Sequence, residues 1–407
     1  MKRHTILHLI LGMLALSFLV YSCSDEILSP TPSNNDELAE LITYTDGDVI
    51  PGQYIVVYKD EVNAIPKRAV NAENFIKLKQ DMKVHAMSVL SENKIGKKEI
   101  SQTYVKTIQG FSLQLTGEEV ENLRQDNRIS YIEQDRMVHV AMGGPPGGGG
   151  GGSSPQVTPW GITRVNGGVD GTGKIAYIID SGIDASHPDL NVDVSKGFNA
   201  FSKGKDGDLT FDGSGHGTHV AGTVGAIDNE IGVIGVAAGA TVVPVKVLNS
   251  RGSGSYSGVI AGVDYVATRS DCDAANMSLG GGFSQAVNDA VVAASSQCPF
   301  ALAAGNESTN ASSKSPASAN GNNIYTVSSM AQGDNWSSFS NYGNPPVDVC
   351  APGSSVYSTY NGDGYATLSG TSMASPHVCG ILLLGNVSTN GTVNGDPDGN
   401  ADPIAVH

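Results

Sequence analysis

Short apolar runs alternate with stretches of helical spacing over residues 155–407. The runs, bounded by polar or glycine residues, are Ile175 to Asp180, Thr241 to Val247, Ala275 to Leu279, Phe300 to Ala304 and Ile324 to Ser328. Helix-like stretches separate several of them: His216 to Val224, Val259 to Ala267 and Ala286 to Ala294. This alternation predicts an α/β fold, with a mostly parallel sheet that helices cover on both faces. In such sheets the site lies at the carboxyl ends of the strands.

Residues 51–141 form a separate pattern that predicts a smaller α+β domain. Strand-like runs and two helix-like stretches, Ala72 to Leu90 and a helix start at Thr116, follow one another in the order β-α-β-β-α-β. This order is typical of a ferredoxin-like fold. The tail after its last strand, Arg136 to Ala141, is long enough to lie in a cleft as an added strand.

The remaining segments predict export and flexible connections. Residues 1–22 have a basic start and an apolar stretch too short for a membrane span, which is typical of a signal peptide. Val20-Tyr21-Ser22-Cys23 resembles a bacterial lipoprotein cleavage box with Cys23 as the lipidated residue; a plain secretory signal is the alternative. Residues 23–50 are polar and predict a flexible tether, and residues 142–156 predict a Gly/Pro-rich linker.

Charge and cysteine content narrow the possible functions. The chain of 407 residues has a formal net charge of −16, which argues against nucleic-acid binding. Beyond Cys23 there are four cysteines. Cys272 and Cys298 each directly precede a predicted strand, so parallel neighbouring strands would bring them together in a disulfide. Cys350 and Cys379 would then form a second bridge, with buried free thiols as the alternative.

Three motifs carry candidate chemistry in the order Asp, His, Ser. Asp180 ends an apolar strand, His216 opens a helix of small residues, and Ser372 stands at the start of an apolar helix. A helix N-terminus stabilises negative charge, but a serine there needs a base to become a nucleophile. Each residue alone has an ordinary alternative: a turn-capping aspartate, a structural histidine, zinc ligation by His216 with His219, or a helix-capping serine.

Together these motifs resemble the subtilisin-type serine proteases (subtilases), nearer the proteinase K-like branch. The resemblance implies a three-layer subtilisin-like domain over residues 157–407, with residues 51–141 as an inhibitory propeptide and folding chaperone. It implies that Ser372 is the nucleophile, His216 the general base and Asp180 the residue that orients it. Asn306, in Ala303-Ala304-Gly305-Asn306, matches the oxyanion-hole asparagine.

The same resemblance assigns substrate and metal residues. The residues expected to bind the substrate backbone are Gly252, Gly254, Ser278, Leu279, Gly280 and Gly305. Backbone contacts predict broad specificity, with an apolar or aromatic preference in the first pocket because no acidic group can be placed there. Self-cleavage is expected near Ala141-Met142. Asp348 aligns with a calcium ligand, assisted by carbonyls near Asn322 and Ile324, whereas Asp396 to Asp402 is either a partial calcium loop or a flexible acidic tail.

The sequence therefore predicts a monomeric, exported or lipid-anchored serine endopeptidase that is made as a zymogen and acts on proteins or peptides. Two alternatives are a catalytically silent subtilase-like module that binds peptides and an intracellular maturation protease. The presence of all four catalytic residue types argues against the first, and the signal segment argues against the second.

Overall fold

A computed structural model of the chain describes residues 38–44, 48–141 and 155–407. The predicted signal peptide, Cys23 and residues 142–154 of the predicted linker lie outside the described residues. Within the described ranges, no helix combines the length and apolar character that crossing a membrane requires.

The N-terminal part, up to residue 141, has the predicted β-α-β-β-α-β order with one additional strand in front. Its elements are β1 (Glu40–Ile42), β2 (Val49–Tyr58), α1 (Phe75–Glu92), β3 (Ile100–Tyr104), β4 (Gly110–Gln114), α2 (Gly117–Arg124) and β5 (Ile129–Val140). Thr116 and Glu119 form a capping box that fixes the start of α2. The prediction of a flexible tether over 23–50 is wrong for its end, because β1 pairs in parallel with β5.

The C-terminal part begins at residue 155 and contains the larger sheet. Its helices are α3 (Trp160–Arg164), α4 (His216–Gly225), α5 (Tyr256–Val266), α6 (Gln285–Ala294) and α7 (Thr371–Leu384). Its strands are β6 (Val169–Asp170), β7 (Ile175–Asp180), β8 (Asn191–Val192), β9 (Phe198–Asn199), β10 (Ala237–Ala238), β11 (Thr241–Lys246), β12 (Ser253–Ser255), β13 (Ala274–Met277), β14 (Leu279–Gly282), β15 (Phe300–Ala303), β16 (Lys314–Ser315), β17 (Ile324–Ala331), β18 (Asn335–Trp336), β19 (Val347–Pro352), β20 (Val356–Tyr360), β21 (Gly364–Leu368), β22 (Ser388–Thr392) and β23 (Pro403–Val406).

The central sheet has the order β22-β23-β19-β17-β15-β13-β7-β11-β8, and its six middle strands, β19 to β11, are parallel. Along β7, Tyr177 and Ile179 pack into one core with α5 and α6, while Ala176 and Ile178 pack into another with α4 and α7. Both faces of the strand are buried, which explains why it is apolar at every position rather than alternating. The predicted α/β architecture is confirmed.

A second sheet joins the two parts of the chain through β5. The first half of β5 pairs with β2, and the second half of β5 is antiparallel to both β12 and β14 of the C-terminal part. The strand order is β16-β14-β5-β2-β4-β3, with β1 and β12 also on β5. The expected extended tail is thus the end of a twelve-residue strand that leaves one part and enters the other.

The four cysteines in the described part of the chain form one disulfide. Cys272 and Cys298 are joined in a disulfide, as expected from their positions before β13 and β15. Of the two possibilities left open for Cys350 and Cys379, the structure has the buried free thiols. Cys350, in β19, packs with Met330, Val393 and Ile404, whereas Cys379, in α7, belongs to the core beneath α4. The two thiols therefore lie in different layers.

Candidate active site

The structure brings Asp180 and His216 together at the carboxyl end of the central sheet. Asp180 is the last residue of β7 and His216 the first of α4, and both are buried. The Nδ1–H of His216 donates to Asp180 Oδ1 over 2.8 Å, and the backbone N–H of Ser181 donates to the same oxygen over 2.7 Å. This bond fixes the tautomer in which His216 Nε2 is a free base. Nε2 has no hydrogen-bond partner among the described residues.

A buried aspartate that sequence reasoning missed, Asp212, fixes the start of α4. Its carboxylate accepts from the backbone N–H groups of Gly215 and Thr218 and from the Ser181 hydroxyl, all within 2.9 Å. Burial raises the pKa of Asp212, while these donors oppose the rise. The helix has no side-chain cap at Gly215, so Asp212 satisfies its first N–H groups and links them to the residue after Asp180. Its position three residues before the Gly215-His216 turn was the available signal.

Ser372 is the second residue of α7, and its side chain is buried. Its hydroxyl donates to the carbonyl oxygen of Ser278 at 3.0 Å rather than to His216. The carbonyl of Ser372 cannot receive a helical hydrogen bond, because the residue four positions later is Pro376. The hydroxyl of Ser278 donates to that carbonyl at 2.8 Å, and Asn276 donates in turn to the Ser278 hydroxyl. Ser278 thus anchors the start of α7 to the end of β13.

Asn306 lies three residues after β15, next to the start of α7. Its Oδ1 accepts from the backbone N–H of Thr371 at 2.9 Å and from the Thr371 hydroxyl at 3.1 Å. These two bonds orient the amide, and Nδ2 is buried without a hydrogen-bond partner in the described part of the chain. Thr371, a second residue that sequence reasoning missed, therefore aims the amide group of Asn306.

The end of β5 lies between β12 and β14 and reaches Ser372. His139 pairs with Ser253 on one side and with Gly280 on the other. Val140 N–H donates to the carbonyl of Gly252, and Ala141 N–H donates to the carbonyl of Ser278. The carbonyl oxygen of Ala141 accepts from the backbone N–H of Ser372 at 3.3 Å. The predicted substrate-binding residues Gly252, Gly254, Ser278, Leu279 and Gly280 thus all lie along this tail.

The glycines in this region do not share one role. A Cβ on Gly254 would lie 2.3 Å from the carbonyl oxygen of Val247, and Gly305 has φ +104° with Asn341 packed against it. Gly280 is different, since a Cβ there would meet only ordinary contacts, the nearest atom being the Ser315 oxygen at 3.5 Å. Gly254 and Gly305 are required by close packing, whereas Gly280 is not.

A cavity of about 320 Å³ opens beside Ala141. Glycine and alanine residues of β14 and β15 form much of its wall, and Asn306 lies at its edge. Glu307 and Lys314 also line it, with Lys314 Nζ 3.5 Å from Glu307 Oε1 and Asn341 donating to Glu307 Oε2. The sequence alone does not place an acidic group at this pocket, whereas in the structure Glu307, which follows Asn306 directly, lines it.

The histidines and acidic residues give no metal cluster. In the described ranges, no group of three or more His, Cys, Asp or Glu side chains is arranged to hold a metal ion. His219 bonds through Nε2 to the carbonyls of Val356 and Ala366, and burial lowers its pKa to about 3. Asp348 accepts from Thr326 N–H at 2.8 Å, and burial raises its pKa. A carboxylate oxygen is a ligand type that suits calcium better than a soft transition metal.

The acidic segment Asp396 to Asp402 is not a flexible tail. It connects β22 to β23, and β23 joins the central sheet beside β19. Asp402 is fully buried, where it accepts from Asn344 at 2.9 Å and from the Ser328 hydroxyl, and burial raises its pKa to about 6. This carboxylate anchors the last strand.

Comparison with known families agrees with the geometry. The Subtilase family profile matches residues 171–387, and the Peptidase inhibitor I9 family matches residues 53–141. The chain belongs to the subtilase family. The resemblance inferred from the sequence motifs is confirmed, and this subtilase is a serine protease, a hydrolase that acts on proteins.

Named relatives of this subtilase include proteases from fungi and bacteria. Subtilisin-like protease 3 of Arthroderma otae is 38% identical over 360 residues, 82% of each chain. The Extracellular serine proteinase of Thermus sp. is 37% identical over 384 residues, 93% of this chain and 88% of the relative. A crystal structure of a cold adapted subtilisin-like serine proteinase has a TM-score of 0.53 and 37% identity, covering 62% of this chain and 98% of the other.

Proposed function

We propose that this subtilase is an exported serine endopeptidase made as a zymogen, which cleaves itself after Ala141 and then hydrolyses proteins with broad specificity. The proposed catalytic residues are Asp180, His216, Ser372 and Asn306. The single observation that carries the proposal is the position of the Ala141 carbonyl. Its oxygen accepts the N–H of Ser372, the proposed nucleophile. Two buried nitrogens of the proposed catalytic residues, His216 Nε2 and Asn306 Nδ2, have no partner among the described residues.

The first step is the attack of Ser372 on the carbonyl carbon of Ala141. Rotation of the Ser372 side chain moves its hydroxyl from the Ser278 carbonyl to His216 Nε2, which removes the proton as the bond to carbon forms. The Asp180 carboxylate stabilises the imidazolium through the 2.8 Å bond at Nδ1. Negative charge on the carbonyl oxygen is stabilised by the N–H of Ser372 and by Asn306 Nδ2.

The second step returns the proton and releases the product. Imidazolium Nε2–H protonates the departing amine, so the peptide bond breaks and an acyl-enzyme forms on Ser372. Water then attacks the ester carbon while His216 takes its proton, and His216 returns a proton to Ser372 Oγ as the ester bond breaks and the Ala141 carboxylate is released. The residues N-terminal to the cut stay paired with β12 and β14, so the product inhibits until it dissociates.

Backbone pairing supports the proposed broad specificity. The last residues of the tail, Val140 and Ala141, are held by backbone hydrogen bonds to Gly252 and Ser278, and the backbone of His139 pairs with Ser253 and Gly280. One side-chain hydrogen bond, between His139 Nδ1 and Ser253 Oγ at 3.0 Å, accompanies this pairing. The cavity beside Ala141 has room for a side chain larger than alanine, although its wall includes Glu307 and Lys314.

The test compares wild type with Ser372→Ala, both produced in a protease-free host. Wild type should separate into an N-terminal fragment ending at Ala141 and a fragment that hydrolyses a generic peptide, and a serine-directed phosphonylating reagent should block this activity. Ser372→Ala should remain one intact chain. Self-processing by Ser372→Ala would refute the assignment, and intact, inactive wild type would favour a catalytically silent peptide-binding module.

Two finer proposals concern calcium and the membrane. We propose that Asp348 holds a structural calcium ion with backbone carbonyls near Asn322 and Ile324; calcium should then raise the Tm of wild type but not that of Asp348→Asn.

We also propose export with lipidation at Cys23. Metabolic labelling with a radioactive fatty acid should mark wild type, and the label should be absent from Cys23→Ser.

A further inference from the structure

Residues in front of the matched inhibitor domain contact its last strand. The I9 match begins at residue 53, but Glu40–Ile42 already pairs in parallel with Tyr131–Glu133 of β5. The backbone N–H of Ala39 donates to the carbonyl of Arg124, and Arg124 Nε donates to the carbonyl of Ala39, both at 2.9 Å. We call residues 38–44 together with Asp48 the N-terminal strap.

Tyr44 of the strap lies where β5 crosses from the propeptide to the protease. Its hydroxyl donates to Glu133 Oε1 at 2.9 Å, and the backbone N–H of Gln285, at the start of α6, lies close enough to lower the pKa of the same hydroxyl against the larger effect of burial. Its ring covers the guanidinium of Arg136, with 4.2 Å between the ring centroid and Cζ. One side chain therefore touches two deeply buried charges of the tail and also the protease.

Both of those charged residues also bond to the protease. Glu133 is fully buried, and its second oxygen accepts from the backbone N–H of Ala286 at 2.9 Å. Arg136 is 1% exposed and donates to the carbonyl of Phe283 at 3.1 Å. Removing a partner from a buried charge costs far more than removing a surface contact. Loss of the Tyr44 hydrogen bond to Glu133 and of the Tyr44 ring over Arg136 should therefore weaken the interface.

The far end of the strap reaches the cleft itself. The carbonyl of Asp48 accepts from Met137 N–H at 2.7 Å, and Val49 pairs with Arg136. Asp48 also lines the cavity beside Ala141, together with residues of β14. The strap therefore contacts β5 on both sides of the point where the tail enters the protease.

We propose that the N-terminal strap extends the inhibitor–protease interface beyond the I9 domain and retains the cleaved propeptide on the enzyme. The partner it fits is the protease surface at the start of α6, with Tyr44 as the central contact. This inference rests on the proposed zymogen function. It predicts a delay between the first cleavage and the release of activity that depends on the strap.

The experiment follows the full chain after purification, with cleavage read on gels and activity read on a chromogenic peptide. Tyr44→Ala should shorten the interval between cleavage and activity by about tenfold or more. The reason is that Glu133 loses one hydrogen bond and Arg136 loses the ring over its guanidinium. Tyr44→Phe keeps the ring over Arg136 and should give an intermediate interval. Tyr54→Phe, in β2 of the same part of the chain, is the matched control and should behave as wild type.

An unchanged interval in Tyr44→Ala would overturn the proposal. Wild type that neither cleaves itself nor hydrolyses peptide would instead contradict the proposed function, so the two failures are distinguishable. Because Tyr44→Ala could also impair folding, hydrogen exchange on intact Ser372→Ala gives a second measurement. Adding Tyr44→Phe to that chain should speed amide exchange at Glu133 to Met137 and leave exchange in the β2–β4 pairing unchanged. An equal change in exchange rate at both places, or no change at either, would also overturn the proposal.

Discussion

Asn306 has a buried amide nitrogen without a partner in the described residues, although its oxygen makes two good hydrogen bonds. Leaving a buried donor unpaired costs roughly 1–3 kcal/mol, so native proteins rarely tolerate it away from functional sites. The cost is small beside the stabilisation that the same donor can give to an oxyanion. This is the reason to assign the amide to catalysis rather than to turn formation.

Replacing Asn306 with alanine tests that assignment. We expect kcat to fall by about 10²–10³ with little change in KM, which is the range that removal of the corresponding asparagine gives in subtilisin. Steady-state kinetics on a peptide substrate measures both parameters. Comparable losses in kcat and in Tm would indicate a structural role instead.

Most of these side chains could be placed from the sequence, but their supports could not. Asp180, His216 and Ser372 follow strand or helix signals that are local in the chain. Asp212 lies in a glycine- and serine-rich stretch that predicts only a loop. The Ser372 carbonyl is open to the Ser278 hydroxyl because Pro376, in the same helix α7, has no N–H to donate, and Ser278 is far from both residues in the sequence. Such pairings depend on tertiary contacts that no local pattern encodes.

At the scale of elements, β12 and β14 are short glycine-containing strands, and Gly254 and Gly280 offer a matched comparison between them. Gly254→Ala would force a Cβ to within 2.3 Å of the Val247 carbonyl, whereas Gly280→Ala meets nothing closer than 3.5 Å. Overpacking of this kind costs roughly 1–3 kcal/mol. The cost should appear mainly in substrate binding, because β12 pairs directly with the tail.

We therefore expect Gly254→Ala to lower kcat/KM by about tenfold and Gly280→Ala to stay close to wild type. The assay is hydrolysis of a peptide long enough to pair with both strands. Equal effects of the two substitutions would mean that bulk along the cleft, rather than the packing of β12, controls binding.

The disulfide joins the loops before β13 and β15, two adjacent strands of the central sheet. Its sequence separation of 26 residues predicts that loss of the bridge lowers the free energy of unfolding by about 3 kcal/mol, chiefly through the unfolded state. Cys272→Ser with Cys298→Ser should inactivate at a lower temperature than wild type. Dithiothreitol should destabilise wild type but leave the double variant unchanged, since Cys350 and Cys379 are not paired.

At the scale of the whole molecule, the interface between propeptide and protease buries carboxylates on both sides. Burial raises the pKa of Glu133 to about 7 and also raises the pKa values of Asp135 and Asp264. Asp264, in α5, accepts from the backbone of Val105, Lys106 and Thr107, so it binds the propeptide from the protease side. Separation of the two parts would return these carboxyl groups to water.

This arrangement predicts that the propeptide binds more tightly at acidic pH. A carboxyl whose pKa is raised in the complex takes up a proton on binding, so affinity falls as pH rises from the free value, about 4.3, through about 7, and then levels off. Glu133 alone can change the affinity of the propeptide for the protease by up to about tenfold per pH unit. Tyr44 and Asp135 also face Glu133, and Asp135 acts in the same direction because burial raises its pKa as well.

Size-exclusion chromatography of the cleaved protein across this pH range measures the fraction of propeptide that remains bound. Glu133→Gln should reduce the pH dependence by about one proton; its single acceptor oxygen can keep the bond from Ala286 N–H, and its amide NH2 can donate to the Tyr44 hydroxyl. Tighter binding at alkaline pH would contradict the sign of this prediction.

When β5 departs, a gap one strand wide opens between β12 and β14. Both neighbours run antiparallel to the departed strand, so both impose the same direction on any chain that replaces it. A polypeptide inserted backwards would mismatch its N–H and C=O groups on two edges at once. The mature enzyme should consequently bind every substrate in one chain direction, so a retro-sequence peptide presents its side chains along the gap in reversed order.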